Sequence, residues 1–211
     1  GHVLIANWAS ERAIFERPAD DLIERSEAMS HPLSSQGEHP MSRDRREFEV
    51  VLWGASGFTG QLTAEYLLSE YGATESLRWA IGGRNRGKLE KVRDELAQET
   101  GRDGSTIPIL VGDSDDASFL DDLTRRSRVI CSTVGPYAKY GSKLVEACAK
   151  NGTDYCDLTG EVQWMRRMID THHDEAVRTA ARIVFTCGFD CIPSDIGAFF
   201  MHEEMQKQCP M

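Results

Sequence analysis

Long apolar runs are missing from this sequence. No stretch of the 211 residues holds the roughly 18 consecutive apolar residues that a membrane-spanning helix needs, so no transmembrane segment is expected. A signal peptide is not expected either, because GHVLIANWASER turns charged before an apolar h-region develops. Positive charge is in short supply: 24 Lys and Arg stand against 34 Asp and Glu, a formal net charge of −10. Phosphate-backbone binding needs clustered cations, so a nucleic-acid partner is not expected. Cysteine is absent before position 131, and Cys131, Cys148, Cys156, Cys187, Cys191 and Cys209 include no CxxC pair. Zinc and redox motifs find no support, and reduced thiols without a metal fit a cytoplasmic protein.

A hydrophobic fraction of 40% is enough for a packed core. Residues 1–46 differ in character from the rest of the chain: they hold three of the seven prolines, the acidic stretch ERPADDLIERSE and the loop-like HPLSSQGEHP. They are expected to be a flexible extension, with residues 1–40 dispensable for folding and cofactor binding. From Glu47, strand-like and helix-like segments alternate. FEVVLWG, LRWAIGG, IPILVGD, RVICSTV, TDYCDLTG and RIVFTC read as strands. Gln61–Tyr71, with Leu62, Tyr66 and Leu67 as its apolar face, Lys88–Thr100, ASFLDDLTRR, Ser142–Lys150 and Val162–Ala181 read as helices between them. Repeated β–α units predict an α/β fold, a doubly wound parallel sheet over residues 47–195. DIGAFFMHEEMQKQ reads as one amphipathic helix, and residues 196–211 as the start of a second domain that is cut short.

The stretch VVLWGASGFTG carries the first chemical signal. Gly54, Gly57 and Gly60 lie between an apolar strand and a helix, in a unit that returns as a strand within about 30 residues. That setting is a dinucleotide turn: Gly54 allows the tight bend, Gly57 lets a pyrophosphate approach, and Gly60 brings the helix close to the sheet. Backbone N–H groups of Ser56, Gly57, Phe58 and Thr59, at the helix N-terminus, point at the anion.

The second strand end selects the dinucleotide. An NAD site places an acid there, roughly 20 residues past the glycines. This chain has Gly82-Gly83-Arg84-Asn85-Arg86 and no acid before Glu90. A guanidinium grips a 2′-phosphate that an acid would repel, so Arg84 favours NADP. Asn85 caps the following helix, whose N-terminus and Lys88 add positive potential. Asp113, at the third strand end, either accepts from the adenine amino group or caps a helix. Thr133, Gly135, Pro136 and Tyr137, in STVGPY, close the fourth strand and pass over the nicotinamide ribose.

GASGFTG, the GGRN strand end, STVGPYAKYGSKLVEACAKNGTDYCDLTGE and CGFDCIPSDIG together resemble the saccharopine dehydrogenase-like oxidoreductases, a group that includes bacterial trans-acting enoyl reductases of lipid biosynthesis. The resemblance runs from about Glu47 to Met205. It implies an NADP(H)-binding Rossmann domain, a substrate half beyond the sixth strand, and a small-molecule substrate, either lipid-like or amino-acid-derived. Peripheral contact with lipid surfaces and a homo-oligomer stay open. Two functions are carried forward: an NADP-dependent oxidoreductase, here mainly its cofactor half, and a non-catalytic dinucleotide module completed by another chain. This chain alone is expected to bind cofactor without appreciable turnover.

Other chemistries fit less well. No tyrosine has a lysine four positions on, as short-chain reductases need to lower the tyrosine pKa. A nucleophilic cysteine is disfavoured because Cys131 and Cys156 fall within strands. His172-His173 reads as a solvated pair. Glu161 reads as a loop cap or a catalytic acid, and Asp190 and Asp195 as residues near the nicotinamide or caps of the last helix. The catalytic residues stay unassigned.

Overall fold

The computed structural model describes residues 46–208 apart from 74 and 75. Six strands, β1 (Phe48–Trp53), β2 (Trp79–Gly83), β3 (Ile109–Val111), β4 (Ser127–Ser132), β5 (Asp154–Asp157) and β6 (Ile183–Val184), form one sheet in the order β3-β2-β1-β4-β5-β6. Every neighbouring pair is parallel. The helices are α1 (Phe58–Tyr71), α2 (Arg86–Thr100), α3 (Ala117–Arg126), the single turn α4 (Tyr137–Tyr140), α5 (Ser142–Asn151), α6 (Val162–Thr179) and α7 (Ile192–Gln208). This is the doubly wound parallel sheet that the alternation predicts.

Strand side chains alternate between two cores, as the period of two requires. Val51 and Trp53 of β1 join Leu120, Leu144, Val145 and Trp164 on one face. Leu52 joins Ala64, Leu68, Leu89, Val92 and Leu96 on the other. The tryptophans buried in these cores each bond their indole N–H: Trp53 to Ser114 Oγ at 3.2 Å, Trp79 to Gly72 O at 2.9 Å and Trp164 to Ser142 Oγ at 2.9 Å. Unpaired, each buried donor would carry a desolvation cost of about 1–3 kcal/mol.

Three local expectations change. The buried face of α1 is Gly60, Ala64 and Leu68, and Leu62 is 40% exposed. Small residues at i and i+4 bring this helix closer to the sheet than the larger Leu62–Tyr66 stripe would. β6 ends after Val184, because Thr186 takes a positive φ of 61° and its N–H turns to Asp157 Oδ1 at 3.2 Å. The apolar residues of α7 are not gathered on one face, so the amphipathic expectation for that helix does not hold, and none of its residues is buried.

The expected extension, residues 1–46, lies outside the described residues except for Arg46. That side chain is buried and joins the amino-terminal ends of β4 and β5. Its Nη1 donates to Ser127 O and to Thr153 Oγ1, both at 2.6 Å, and Nη2 donates to Asn151 O at 2.7 Å. No helix of the described residues is long and apolar enough to cross a membrane.

Candidate functional site

The carboxyl ends of β1, β2, β3 and β4 are neighbours in the sheet, and the expected site residues all lie just beyond them. Gly54 leaves β1 with φ of 98°. A Cβ on it would lie 2.6 Å from Val134 Cγ2 and 2.8 Å from Thr133 Oγ1. The same Thr133 hydroxyl donates to Gly54 O at 3.2 Å, so the ends of β1 and β4 are locked together. At Gly60 a Cβ would sit 2.7 Å from Ala55 Cα, which accounts for glycine by close helix approach.

Gly57 is different. Its φ of −84° suits any residue, and a Cβ there would meet only Gly54 O, at 3.4 Å. The protein itself makes no demand for glycine at this exposed position, so the open space is what a ligand would use. Gly57 is also the N-cap of α1 and supplies no side chain to it. The first-turn N–H groups of Phe58, Thr59 and Gly60 therefore carry the helix's positive end toward the sheet edge without a capping acceptor. The neighbouring helices do have caps: Asn85 Oδ1 accepts from Lys88 N at 3.0 Å, and Asp116 Oδ1 accepts from Ser118 N at 3.0 Å. Ser56 is half-buried at the turn, its carbonyl accepting from Gln61 Nε2 at 3.3 Å, and the Phe58 ring is 81% exposed beside it.

Beyond β2, Arg84, Asn85 and Lys88 are all exposed. Arg86 pairs with Glu90 at 3.7 Å, whereas Arg84 and Lys88 have no carboxylate partner among the described residues. The Arg84 guanidinium instead lies over the Tyr140 ring, 5.5 Å from its centroid. Asp113 bends the chain after β3: its Oδ1 accepts from Asp115 N at 2.8 Å, and helix α3 is capped by Asp116. Lys143 on α5 reaches Asp115 Oδ1 at 2.9 Å, tying this loop to the one after β4.

After β4 the chain runs through Thr133, Gly135 and a cis bond to Pro136. Gly135 and Pro136 are exposed, but Tyr137 turns inward and is buried. Its hydroxyl donates to Ser132 O at 3.1 Å, and burial pushes the phenol up to about 12. The inward ring thus braces the loop. Glu161 caps α4, accepting from Tyr137 N at 2.6 Å and Ala138 N at 2.9 Å. Of its two readings, the loop cap is the one the geometry realises.

The family now has a direct basis. The model of the saccharopine dehydrogenase NADP-binding domain matches residues 50–184. The chain belongs to this family. NADP is accordingly its cofactor. The chain is 46% identical over 166 residues to a trans-acting enoyl reductase of Mycobacterium leprae, covering 78% of this chain and 38% of that protein. A putative trans-acting enoyl reductase of Mycobacterium tuberculosis is 46% identical over 167 residues, covering 79% of this chain and 38% of the relative. The chain thus spans well under half the length of these relatives. Apo saccharopine dehydrogenase of Saccharomyces cerevisiae shares the fold, with a TM-score of 0.57 at 19% identity, over 76% of this chain and 32% of that one.

The residues present fit a saccharopine dehydrogenase-type NADP domain: an uncapped helix N-terminus behind an open Gly57, and beside it two cations, Arg84 and Lys88, without a carboxylate partner among the described residues. Cys131 and Cys156 are register partners on β4 and β5. The hydrogen bond between the two lowers Cys131 and raises Cys156, with burial adding to the rise, and burial is the main cause that lifts Cys187 to about 11. Asp157 is buried at the end of β5 and accepts from Tyr155 Oη at 2.8 Å and Thr159 N at 3.1 Å. Desolvation nevertheless raises its carboxyl above the ordinary 3.8. Among the described residues no group of His, Cys, Asp or Glu is arranged to hold a metal ion. His172 and His173 sit on the groove between α6 and β6, away from the four strand ends. Lys139 is not among the site residues expected from the sequence; its Nζ lies 5.0 Å from the Tyr140 ring centroid.

Proposed function

We propose that this chain holds NADPH for the reduction of a carbon–carbon double bond in a lipid-like enoyl substrate. The observation that carries the cofactor role is the uncapped N-terminus of α1 behind Gly57. In this reading the backbone N–H groups of Ser56, Phe58, Thr59 and Gly60 cradle the pyrophosphate, while Gly54 and Gly57, whose own N–H groups donate to Gly82 O and Gly54 O, shape the turn and leave the approach open. Arg84 and Lys88 take the 2′-phosphate, and Asn85 keeps the α2 N-terminus formed beneath it. Asp113 accepts from the adenine amino group through the oxygen its turn leaves free. Thr133, Gly135 and Pro136 line the nicotinamide ribose, and Tyr137 braces them from inside. When bound, the cofactor supplies hydride. The protein's part is to orient it, and a useful rate further needs a dry, covered face over the substrate carbon. The enoyl substrate rests on the mycobacterial relatives, whose names carry that reaction. A cytoplasmic location with peripheral contact to lipid surfaces belongs to the same proposal. A second reading, a dinucleotide module completed by another chain, is favoured by the exposed Phe199, Phe200 and Met201 of α7.

A chimaera tests the proposal. Residues 47–195 would replace the matching segment of the Mycobacterium leprae enoyl reductase. NADPH oxidation would then be followed with enoyl, keto and imine substrates. Enoyl-dependent oxidation is expected. A folded chimaera that binds NADPH but spares the enoyl substrate would contradict the catalytic reading and leave the second one standing.

A further inference from the structure

Two cations share one aromatic ring at the edge of the cofactor site. Arg84 comes from the loop after β2 and Lys139 from the turn after β4, and both lie over Tyr140, at 5.5 and 5.0 Å from its centroid. Each distance is within the roughly 6 Å over which a ring face attracts a cation. Like charges brought together repel, and a ring quadrupole offsets only part of that. A carboxylate partner would normally balance the charge, yet neither cation has one among the described residues, although the chain as a whole is acidic. The positive charge is therefore left for an anion from outside.

The turn that carries Lys139 and Tyr140 is also held firmly. Glu161 binds the N–H groups of Tyr137 and Ala138. The Tyr137 ring packs on Trp164 at 5.7 Å between centroids. Behind Tyr140, Gly141 is buried against the same indole, where a Cβ would lie 2.8 Å from Trp164 Cζ2. Lys139 is thus presented by a fixed turn, although its own side chain is exposed.

The geometry points to Lys139 as a further specificity-determining cation for the 2′-phosphate, beside Arg84 and Lys88, with Tyr140 as the positioning residue that aims both Lys139 and Arg84. The discriminating site then spans two loops, one after β2 and one after β4. This rests on the NADP reading above. Its recognition chemistry is that of a phosphate monoester beside an adenosine, so the ring serves orientation and the two cations serve charge.

Paired titrations of the full chain with NADP+ and NAD+, and with 2′,5′-ADP and 5′-AMP as half-ligands, test it. Lys139→Ala should weaken NADP+ and 2′,5′-ADP by ~5-fold, the scale of one exposed charge pair, and leave NAD+ and 5′-AMP unchanged. Tyr140→Phe should keep the preference for the 2′-phosphate, and Tyr140→Leu should lose much of it at an unchanged melting temperature. Equal weakening of all four ligands by Lys139→Ala, or no change, would overturn the inference while a wild-type preference for NADP+ stood. Indistinguishable Tyr140→Phe and Tyr140→Leu titrations would overturn the positioning role. A wild-type chain with no preference would overturn the NADP reading itself, and this inference with it.

Discussion

Glu161 Oε1 accepts a hydrogen bond from the backbone N–H of Tyr137 at 2.6 Å, across 24 positions of sequence. The second carboxylate oxygen takes Ala138 N. One side chain thus supplies, from the start of α6, the N-terminal cap that Pro136 cannot give α4. Glu161→Ala should cost about 1–2 kcal/mol of stability, the range of a lost cap. It should also weaken NADPH binding, because the turn presenting Pro136 and Lys139 loosens. Glu161→Gln keeps an acceptor oxygen and should lie between. Unchanged melting and unchanged NADPH affinity in Glu161→Ala would contradict this.

Gly57 and Gly60 should separate binding from folding. Gly57→Ala meets no protein atom closer than 3.4 Å, so its melting temperature should stay within a few degrees of wild type. Its NADPH affinity should fall by about tenfold or more, since the new methyl occupies the pyrophosphate approach. Gly60→Ala drives a Cβ into the backbone of Gly54 and Ala55 and should destabilise the fold by about 1–3 kcal/mol. Chemical denaturation and fluorescence titration on both variants decide it. A Gly57→Ala chain that binds NADPH normally would remove the cradle from the account.

Arg46 works at the opposite edge of the sheet. Arg46→Met leaves the carbonyls of Ser127 and Asn151 and the Thr153 hydroxyl short of their donor. A loss of about 3 kcal/mol in unfolding free energy is expected, from buried acceptors left unsatisfied. The ratio of NADPH to NADH affinity should not change at a temperature where the variant is folded.

Asp157 gives a pH signature. Its folded carboxyl holds its proton more tightly than the unfolded one, because burial raises it above 3.8. The stability linked to this proton is present in full below 3.8 and is lost as pH rises through the folded value. Asp157→Asn has no such proton. Urea unfolding of both proteins should therefore show wild type losing ground to the variant as pH climbs from about 4, until the folded carboxyl is ionised. A constant difference across that window would count against the raised carboxyl.

Much of this architecture can be read along the chain, because each strand and helix carries its own periodicity. The α3 boundaries arise from ASFLDDLTRR itself, and Asn85 announces its cap by position alone. What escaped depends on residues far apart. The turn at Tyr137–Tyr140 is too short for any periodicity and is held by Glu161. The end of β6 is set by Asp157, which draws Thr186 out of the sheet. The face of α1 is chosen by Gly60 and Ala64, whose small size matters only against the β1 turn. Lys139 acquires meaning only through Tyr140 and Arg84, which the fold brings together from two loops.

The most direct test of the central claim is a paired titration of the folded chain with NADPH and NADH, monitored by cofactor fluorescence, with Arg84→Asp alongside. An Arg84 contact with the 2′-phosphate is expected to favour NADPH by about 1.5–3 kcal/mol, or roughly 10- to 150-fold. Arg84→Asp should reverse the order. Equal affinities in the wild-type chain, or tighter NADH, would contradict the account.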